Sequence, residues 1–320
     1  MKKKILIFFL GFIFSKNLSA QINSINNTDD ASALLESYFS PLAEAFGSGL
    51  NNGWYNTAKP HKPLGFDVTF TLNTVNIPEE MLTFDPSLIT GNNFSGNETP
   101  TILGAGDGSL ITYANTYEFQ MPNQGKINKN LIPVPMLNAG IGLIKKTELD
   151  IRYLPNYNFS LGFIGKGSVN LWGVGLKHDL MQYIPIVGNK IPLDLSFQFG
   201  HTSLNTNFNY EPSLGIKQDV DLNIRSTTIN LIASKKILIF TGHASVGYNS
   251  NQTVFNTNTN GKFNFGDNEF NIPIDFDFDG LNKFRTNLGV KVNLALLAVQ
   301  INHTFSEYPV TTIGVGIGLR

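Results

Sequence analysis

FRTNLGVKVNLALLAVQINHTFSEYPVTTIGVGIGLR, residues 284–320, decides the fold. It reads in twos. Phe284, Thr286, Leu288, Val290, Val292 and Leu294 alternate with Arg285, Asn287, Gly289, Lys291 and Asn293. After a tight reversal, Leu297, Val299, Ile301, His303 and Phe305 alternate with Ala298, Gln300, Asn302, Thr304 and Ser306. Thr311, Ile313, Val315, Ile317 and Leu319 then alternate with Thr312, Gly314, Gly316 and Gly318. Successive side chains of a β-strand point to opposite faces, so this period predicts three strands, each apolar on one face and polar or bare on the other. A soluble sandwich alternates too. Export, strand length and strand number separate the two architectures.

The chain opens on Lys2-Lys3-Lys4, runs apolar from Ile5 to Phe14 and reaches Leu18-Ser19-Ala20 before Gln21. That three-part layout predicts a cleaved export signal over residues 1–20. The run is shorter than the ~20 apolar residues a membrane helix needs. Removal of Lys2, Lys3, Lys4 and Lys16 with the leader leaves 19 basic against 24 acidic side chains, a net charge of −5. Such a balance argues against a nucleic-acid partner. The chain has no cysteine, which excludes a disulfide framework and lipid attachment through a thiol. Charged residues make up 15%, below the usual ~25%. An exported, aromatic-rich chain without hydrophobic helices predicts an all-β, antiparallel transmembrane barrel in the outer membrane.

Residues 21–62 are expected to form an N-terminal helical segment and residues 63–320 the barrel. Asp29 or Asp30 can cap a helix in which Leu34, Tyr38, Leu42, Ala45 and Phe46 recur at helical spacing; Pro41 should kink or divide it, and Gly47 and Gly49 should end it. The segment packs either as a plug inside the lumen or on the periplasmic rim. Strands are expected near 66–73, 116–121, 136–143, 148–153, 157–164, 168–182, 193–200, 222–235 and 237–250, before the three C-terminal ones. Even strand numbers prevail in bacterial barrels, so the expectation is 12 or 14. Residues 77–112 and 251–280, rich in Asn, Gly and Thr, read as external loops.

At Asn51–Lys59, and again at Trp172-Gly173-Val174-Gly175-Leu176-Lys177-His178-Asp179, the sequence resembles an uncharacterised family of outer-membrane barrels from Bacteroidota. Its general layout is similar to that of the outer-membrane long-chain fatty-acid transporters, a helical hatch followed by a barrel. That likeness implies uptake of a hydrophobic compound.

Chemistry-bearing patterns are few. His201-Thr202-Ser203 and His243-Ala244-Ser245 each put a His and a Ser on one strand face, as lipid-active outer-membrane enzymes do. Same-face neighbours stand about 7 Å apart and no third residue can be assigned, so chance spacing is the better reading and no catalytic residue is expected. Asp275-Phe276-Asp277-Phe278-Asp279-Gly280 has the start of a calcium loop, but its twelfth position is Thr286 rather than Glu, and the alternating Phe suits an acidic strand. The five histidines show no metal-ligand spacing, and no nucleotide motif opens a helix, so neither metal nor cofactor is expected. Parity sends Asp67, Glu148, Asp150, Arg152, Arg285 and Lys291 into the lumen, and Trp54 and Tyr55 join them if the N-terminus is a plug. These residues make either a water-filled passage or a network that closes the barrel. The expected function is passage of a small hydrophobic compound; the alternatives are a closed structural or assembly barrel and a lipid-active enzyme. The expected partner is outer-membrane lipid.

Overall fold

The computed structural model describes residues 28–101, 103–121, 131–161, 165–184, 192–213, 216–258, 263–265, 268–270, 275–280 and 283–319. The expected leader, residues 1–20, lies outside them. Ten antiparallel strands form the barrel: β1 (Phe66–Asn76), β2 (Leu131–Leu143), β3 (Thr147–Leu161), β4 (Gly165–Asp179), β5 (Asp194–Ser213), β6 (Ile216–Ile237), β7 (Phe240–Asn258), β8 (Lys283–Leu294), β9 (Leu297–Phe305) and β10 (Val310–Leu319). Each pairs with the next, and β1 closes on β10 from Phe66↔Leu319 to Val75↔Val310. Closure leaves no open edge, which is the condition for a sheet to cross lipid.

The strand number is ten, not 12 or 14, for two physical reasons. The two strands expected at 148–153 and 157–164 are one, Thr147–Leu161, as far as the described residues run; residues 162–164 lie outside them. A register shift between Leu154 and Tyr157 takes up Pro155, which cannot donate to a ladder. The strand expected near 116–121 does form, as Tyr117–Gln120. It pairs with Leu110–Tyr113 in a separate three-stranded sheet above the barrel, not in the wall.

Alternation assigns the two faces. Outward Leu288, Ile301 and Ile317 are 57%, 54% and 58% exposed, whereas inward Arg285, Asn287 and Thr312 are at most 1% exposed. No second protein layer covers the described apolar wall, and an apolar surface of that extent is at home in hydrocarbon. Two-residue reversals at Leu238-Ile239 and Ala295-Leu296, and the Lys145-Lys146 turn, mark one end. Lys145, Lys146, Leu238 and Ala295 adopt positive φ there, as tight hairpins require. The two longest connections, 77–130 and 259–282, lie at the opposite, loop end, while residues 180–193 join β4 to β5 at the turn end. β5, β6 and β7 have 20, 22 and 19 residues. A membrane strand needs ~9–11, so these three project beyond the bilayer at the loop end.

Among the described residues one α-helix, α1 (Thr28–Leu50), is present, and it lies inside the barrel. Pro41 sits within it and does not divide it, and Gly47 and Gly49 do not end it. Gly49 is instead a point of close approach, where an added Cβ would overlap the Val134 side chain on β2.

The face assignment predicts how mutations partition. Val290→Arg, on the outward face of β8, should cost about 2–4 kcal/mol in lipid vesicles, whereas Leu238→Lys, at a turn tip, should cost about 0–1. Urea unfolding in vesicles measures both; equal costs would reverse the assignment of the wall to lipid.

Candidate functional site: the plugged lumen

The N-terminal segment runs through the barrel from one end to the other. Its first described turn is at the loop end, where Asp30 accepts hydrogen bonds from Tyr113 Oη (2.7 Å) and Asn93 Nδ2 (2.9 Å) of the outer loop sheet. Its last residues reach the turn end, where His61 N donates to Glu148 Oε2 at 2.6 Å. The lumen it fills has two chemical zones.

The loop half is apolar. Leu34, Tyr38, Phe39, Leu42, Phe46 and Leu50 of α1 pack in one cluster with the inward wall residues Val75, Val134, Val169, Leu171, Ile224 and Phe255. The Phe39 and Phe255 rings stack with centroids 5.5 Å apart. A helix with a wide apolar face buries it wherever an apolar wall is offered, and here the wall is the inside of the barrel.

The turn half is polar. The helix ends at Leu50 in the middle of the lumen, where its last carbonyls have no intrahelical donors. The chain supplies them individually. Asn51 N donates to Gly47 O at 3.0 Å, Asn52 Nδ2 to Ser48 O at 2.8 Å and Asn73 Nδ2 to Gly49 O at 3.0 Å. Arg152 Nη1 donates to Leu50 O at 2.5 Å, its Nη2 to Asn52 O, and its Nε to Asn138 Oδ1 at 2.5 Å. Arg285 Nη1 donates to Asn51 O at 2.9 Å and its Nη2 to Asn52 Oδ1 at 2.7 Å. Two guanidinium groups therefore hold the negative end of the helix dipole. Beyond it, Gly53 at φ +78° turns the chain, and Trp54 lies under Arg152, whose guanidinium carbon is 3.5 Å from the ring.

Trp54 is seated on bare backbone. A Cβ added at Gly200 would stand 2.6 Å from the indole Nε1, and one at Gly175 would stand 2.8 Å from Cζ3. Past Trp54 the plug touches successive strands. Tyr55 Oη and Ser245 Oγ are 2.5 Å apart, Lys291 Nζ donates to Asn56 Oδ1 at 2.8 Å, Ala58 N donates to Ser234 Oγ at 2.9 Å, and Ser196 Oγ donates to Ala58 O. A charged cluster ends the path: Lys177 Nζ lies 2.6 Å from Glu148 Oε1, and His61 Nε2 lies 3.2 Å from Asp67 Oδ1. Among the described residues the inward cations Arg152, Lys177, Arg285 and Lys291 share the interior with the carboxylates Asp30, Glu44, Asp67, Glu148, Asp150 and Asp179. Close pairing, as between Lys177 and Glu148, offsets the cost of desolvating such groups.

The eight residues assigned to the lumen from the sequence face the interior. Trp54 and Tyr55 belong to the plug, Arg152, Arg285 and Lys291 bind it directly, and Asp67, Glu148 and Asp150 belong to the charged end. In this arrangement they hydrogen-bond and ion-pair with the plug and with one another. Parity on β4 would also have found Lys177, which shares a face with Gly173 and Gly175. Asn52, Asn73, Ser234 and the glycine seat carried no signal, because their roles exist only once the plug is in place. His201 and Ser203 face outward, on the side of the strand opposite Gly200 and Thr202. His243 and Ser245 face inward, and Ser245 is engaged by the plug. Asp275–Asp279 is a strand paired on β7, as its alternating Phe suggested. Among the described residues no group of His, Cys, Asp and Glu is arranged to hold a metal ion.

Loss of one guanidinium orphans buried carbonyls, at about 1–3 kcal/mol each. Arg152→Ala should therefore loosen the segment 51–61, and Arg152→Lys should loosen it less. In a Trp172→Phe background the only tryptophan is Trp54, so acrylamide quenching should rise with Arg152→Ala. Gly200→Ala should raise it too, by pushing the indole off its seat. Unchanged quenching in both would show that neither contact holds the plug.

Among curated proteins nothing matches this chain. Among solved structures, the translocator domain of the autotransporter NalP from Neisseria meningitidis is 11% identical, spans 89% of this chain and 99% of its own, and gives a TM-score of 0.38. The β domain of the Bordetella autotransporter BrkA is 8% identical over 80% of this chain and 99% of its own, with a TM-score of 0.34. A deletion mutant of the TodX monoaromatic hydrocarbon channel is 9% identical over 81% of this chain and 67% of its own, with a TM-score of 0.29. Likeness at this level says nothing of function. The family is more definite: a family model matches residues 1–319, and the chain belongs to DUF6588, a family of unknown function.

Proposed function

We propose that the protein is an outer-membrane channel for a small hydrophobic compound, held shut by its own N-terminal segment. The two-zone lumen carries this reading. When α1 moves, the loop half becomes a vestibule lined by Val75, Val134, Leu171, Ile224 and Phe255, a surface suited to an apolar solute. The turn half grips residues 51–61 through hydrogen bonds and ion pairs, which water can replace on release. The solute then diffuses, and no covalent step is assigned to any residue.

Export through the leader and residence in the outer membrane are part of the proposal, supported by the layout of residues 1–20 and by the apolar outer wall. The likeness in layout to long-chain fatty-acid transporters supports the same class of solute. An origin in Bacteroidota rests on Asn51–Lys59 and Trp172–Asp179 alone.

The second reading is a closed structural barrel, favoured by the filling of both halves of the lumen by side chains. A tether separates the two. Thr57 Oγ1 and Ser234 Oγ are 3.1 Å apart, so cysteines at these two positions would have their sulfurs facing each other within reach of a bond of about 2 Å, and the chain has no other cysteine. Thr57→Cys with Ser234→Cys should lock the plug. Proteoliposomes should take up an apolar fluorophore when the pair is reduced and lose most of that flux when it is oxidised. Equal flux in both states would overturn gating by this segment. No flux in either state, or in the unsubstituted protein, would favour the closed barrel.

A further inference from the structure

One patch of the outer wall is not used by the lumen. Register places Tyr153, Trp172, Ser203, Arg225 and Gln252 side by side across β3 to β7. Their neighbours Arg152, Gly173, Thr202 and Ser226 point inward, so this row points out. One row nearer the turns stand His201 and Thr227, joined by a hydrogen bond of 2.8 Å between Nδ1 and Oγ1. The Trp172 ring lies 5.6 Å from the His201 ring. Ser203, flanked by Trp172 and Arg225, is 6% exposed.

The height of this patch is set by what lies on either side. Towards the turns the same strands present Ile151, Val174, Phe199 and Ile229, an apolar surface. Towards the loops they present Asn170, Asn205 and Asn223, with Asn205 Nδ2 donating to Asn170 Oδ1 at 3.0 Å. Arg225 thus stands where the wall passes from hydrocarbon to water, the level of lipid headgroups. Its side chain is exposed, and among the described residues no carboxylate forms an ion pair with it.

We infer that this patch binds the phosphate of a lipid headgroup in the loop-side leaflet. Arg225 supplies the charge and a planar pair of donors that match phosphate oxygens. His201 Nε2 and Ser203 Oγ stand beside it as further hydrogen-bonding groups. Trp172 and Tyr153 lie against the glycerol and upper acyl chains, where amphipathic rings are favoured. The patch is continuous with the lipid-facing wall, so a lipid is the occupant it meets, and its lone positive charge selects a phosphorylated one. It also gives the His201–Ser203 pair a binding role that needs no third residue.

Native mass spectrometry of the detergent-solubilised full chain tests this. The protein is offered equal amounts of phosphatidylglycerol and an uncharged diacyl glycolipid. The unsubstituted protein should retain phosphatidylglycerol preferentially, and Arg225→Ala should lower that preference about tenfold. Arg225→Gln, which keeps the length and polarity of the side chain, should lower it similarly, and Arg225→Lys should lower it less. Heat-modifiable migration on gels confirms that each variant is folded. No preference for the phospholipid, or a preference unchanged in both Arg225→Ala and Arg225→Gln, would overturn the assignment. Displacement of the lipid by inorganic phosphate would overturn it as well, by showing a site for the free ion.

Discussion

A helix that ends inside a membrane barrel needs donors for its last carbonyls. In water those groups are solvated, and on a protein surface a glycine turn often serves. At Leu50 neither solution suffices, because the helix stops in the middle of a filled lumen. Arg152, Arg285 and Asn73 donate from three different strands to the carbonyls of residues 49–52. Much of the interior follows from this constraint. The buried guanidinium groups are in turn satisfied by the carbonyl, amide and hydroxyl oxygens around them, among them Asn138 Oδ1, Asn52 Oδ1 and Thr304 Oγ1. Trp54 can lie under Arg152 only because Gly175 and Gly200 leave room beneath it.

The division of the lumen reflects two ways of filling a barrel. Apolar packing is non-directional, so between the hydrogen bonds of Asp30 at the loop end and the helix terminus the loop half holds α1 mainly by shape. Hydrogen bonds are directional, so the turn half fixes the register of residues 51–61 against individual strands. An interior of the second kind throughout would be rigidly closed; one of the first kind throughout would give the plug no defined seat. The combination makes a plug that is well placed yet held in its lower half by contacts that water can replace.

The outer surface obeys a different solvent. Its apolar belt gives way to Asn170, Asn205 and Asn223 at the loop side, and Trp172, Tyr153 and Arg225 mark the change. The lumen and the wall are therefore independent on β3 to β6, where alternate residues of one strand serve each. Arg152 holds the plug, while Tyr153, its immediate neighbour, faces lipid.

Much of this was legible in the sequence. Period-two alternation fixed which residues of each strand face in, because a side chain cannot change face without shifting the whole register. Hence parity alone sends Asp67, Glu148, Asp150, Arg152, Arg285 and Lys291 to the inward face of their strands. Strand number was not legible, since local pattern cannot tell a bulge at Pro155 from a strand end, or a strand of the outer loop sheet from one in the wall. Those outcomes depend on which segments pair over long distances. The same limit left the plug and the rim as equal alternatives for the N-terminal helix. The helical period of residues 28–50 announced a helix but not its place, because an apolar stripe is satisfied equally by a rim or a lumen. Only closure of β1 on β10 created an interior of the right width, half apolar and half polar, into which that helix and its carbonyl-rich end could both be received.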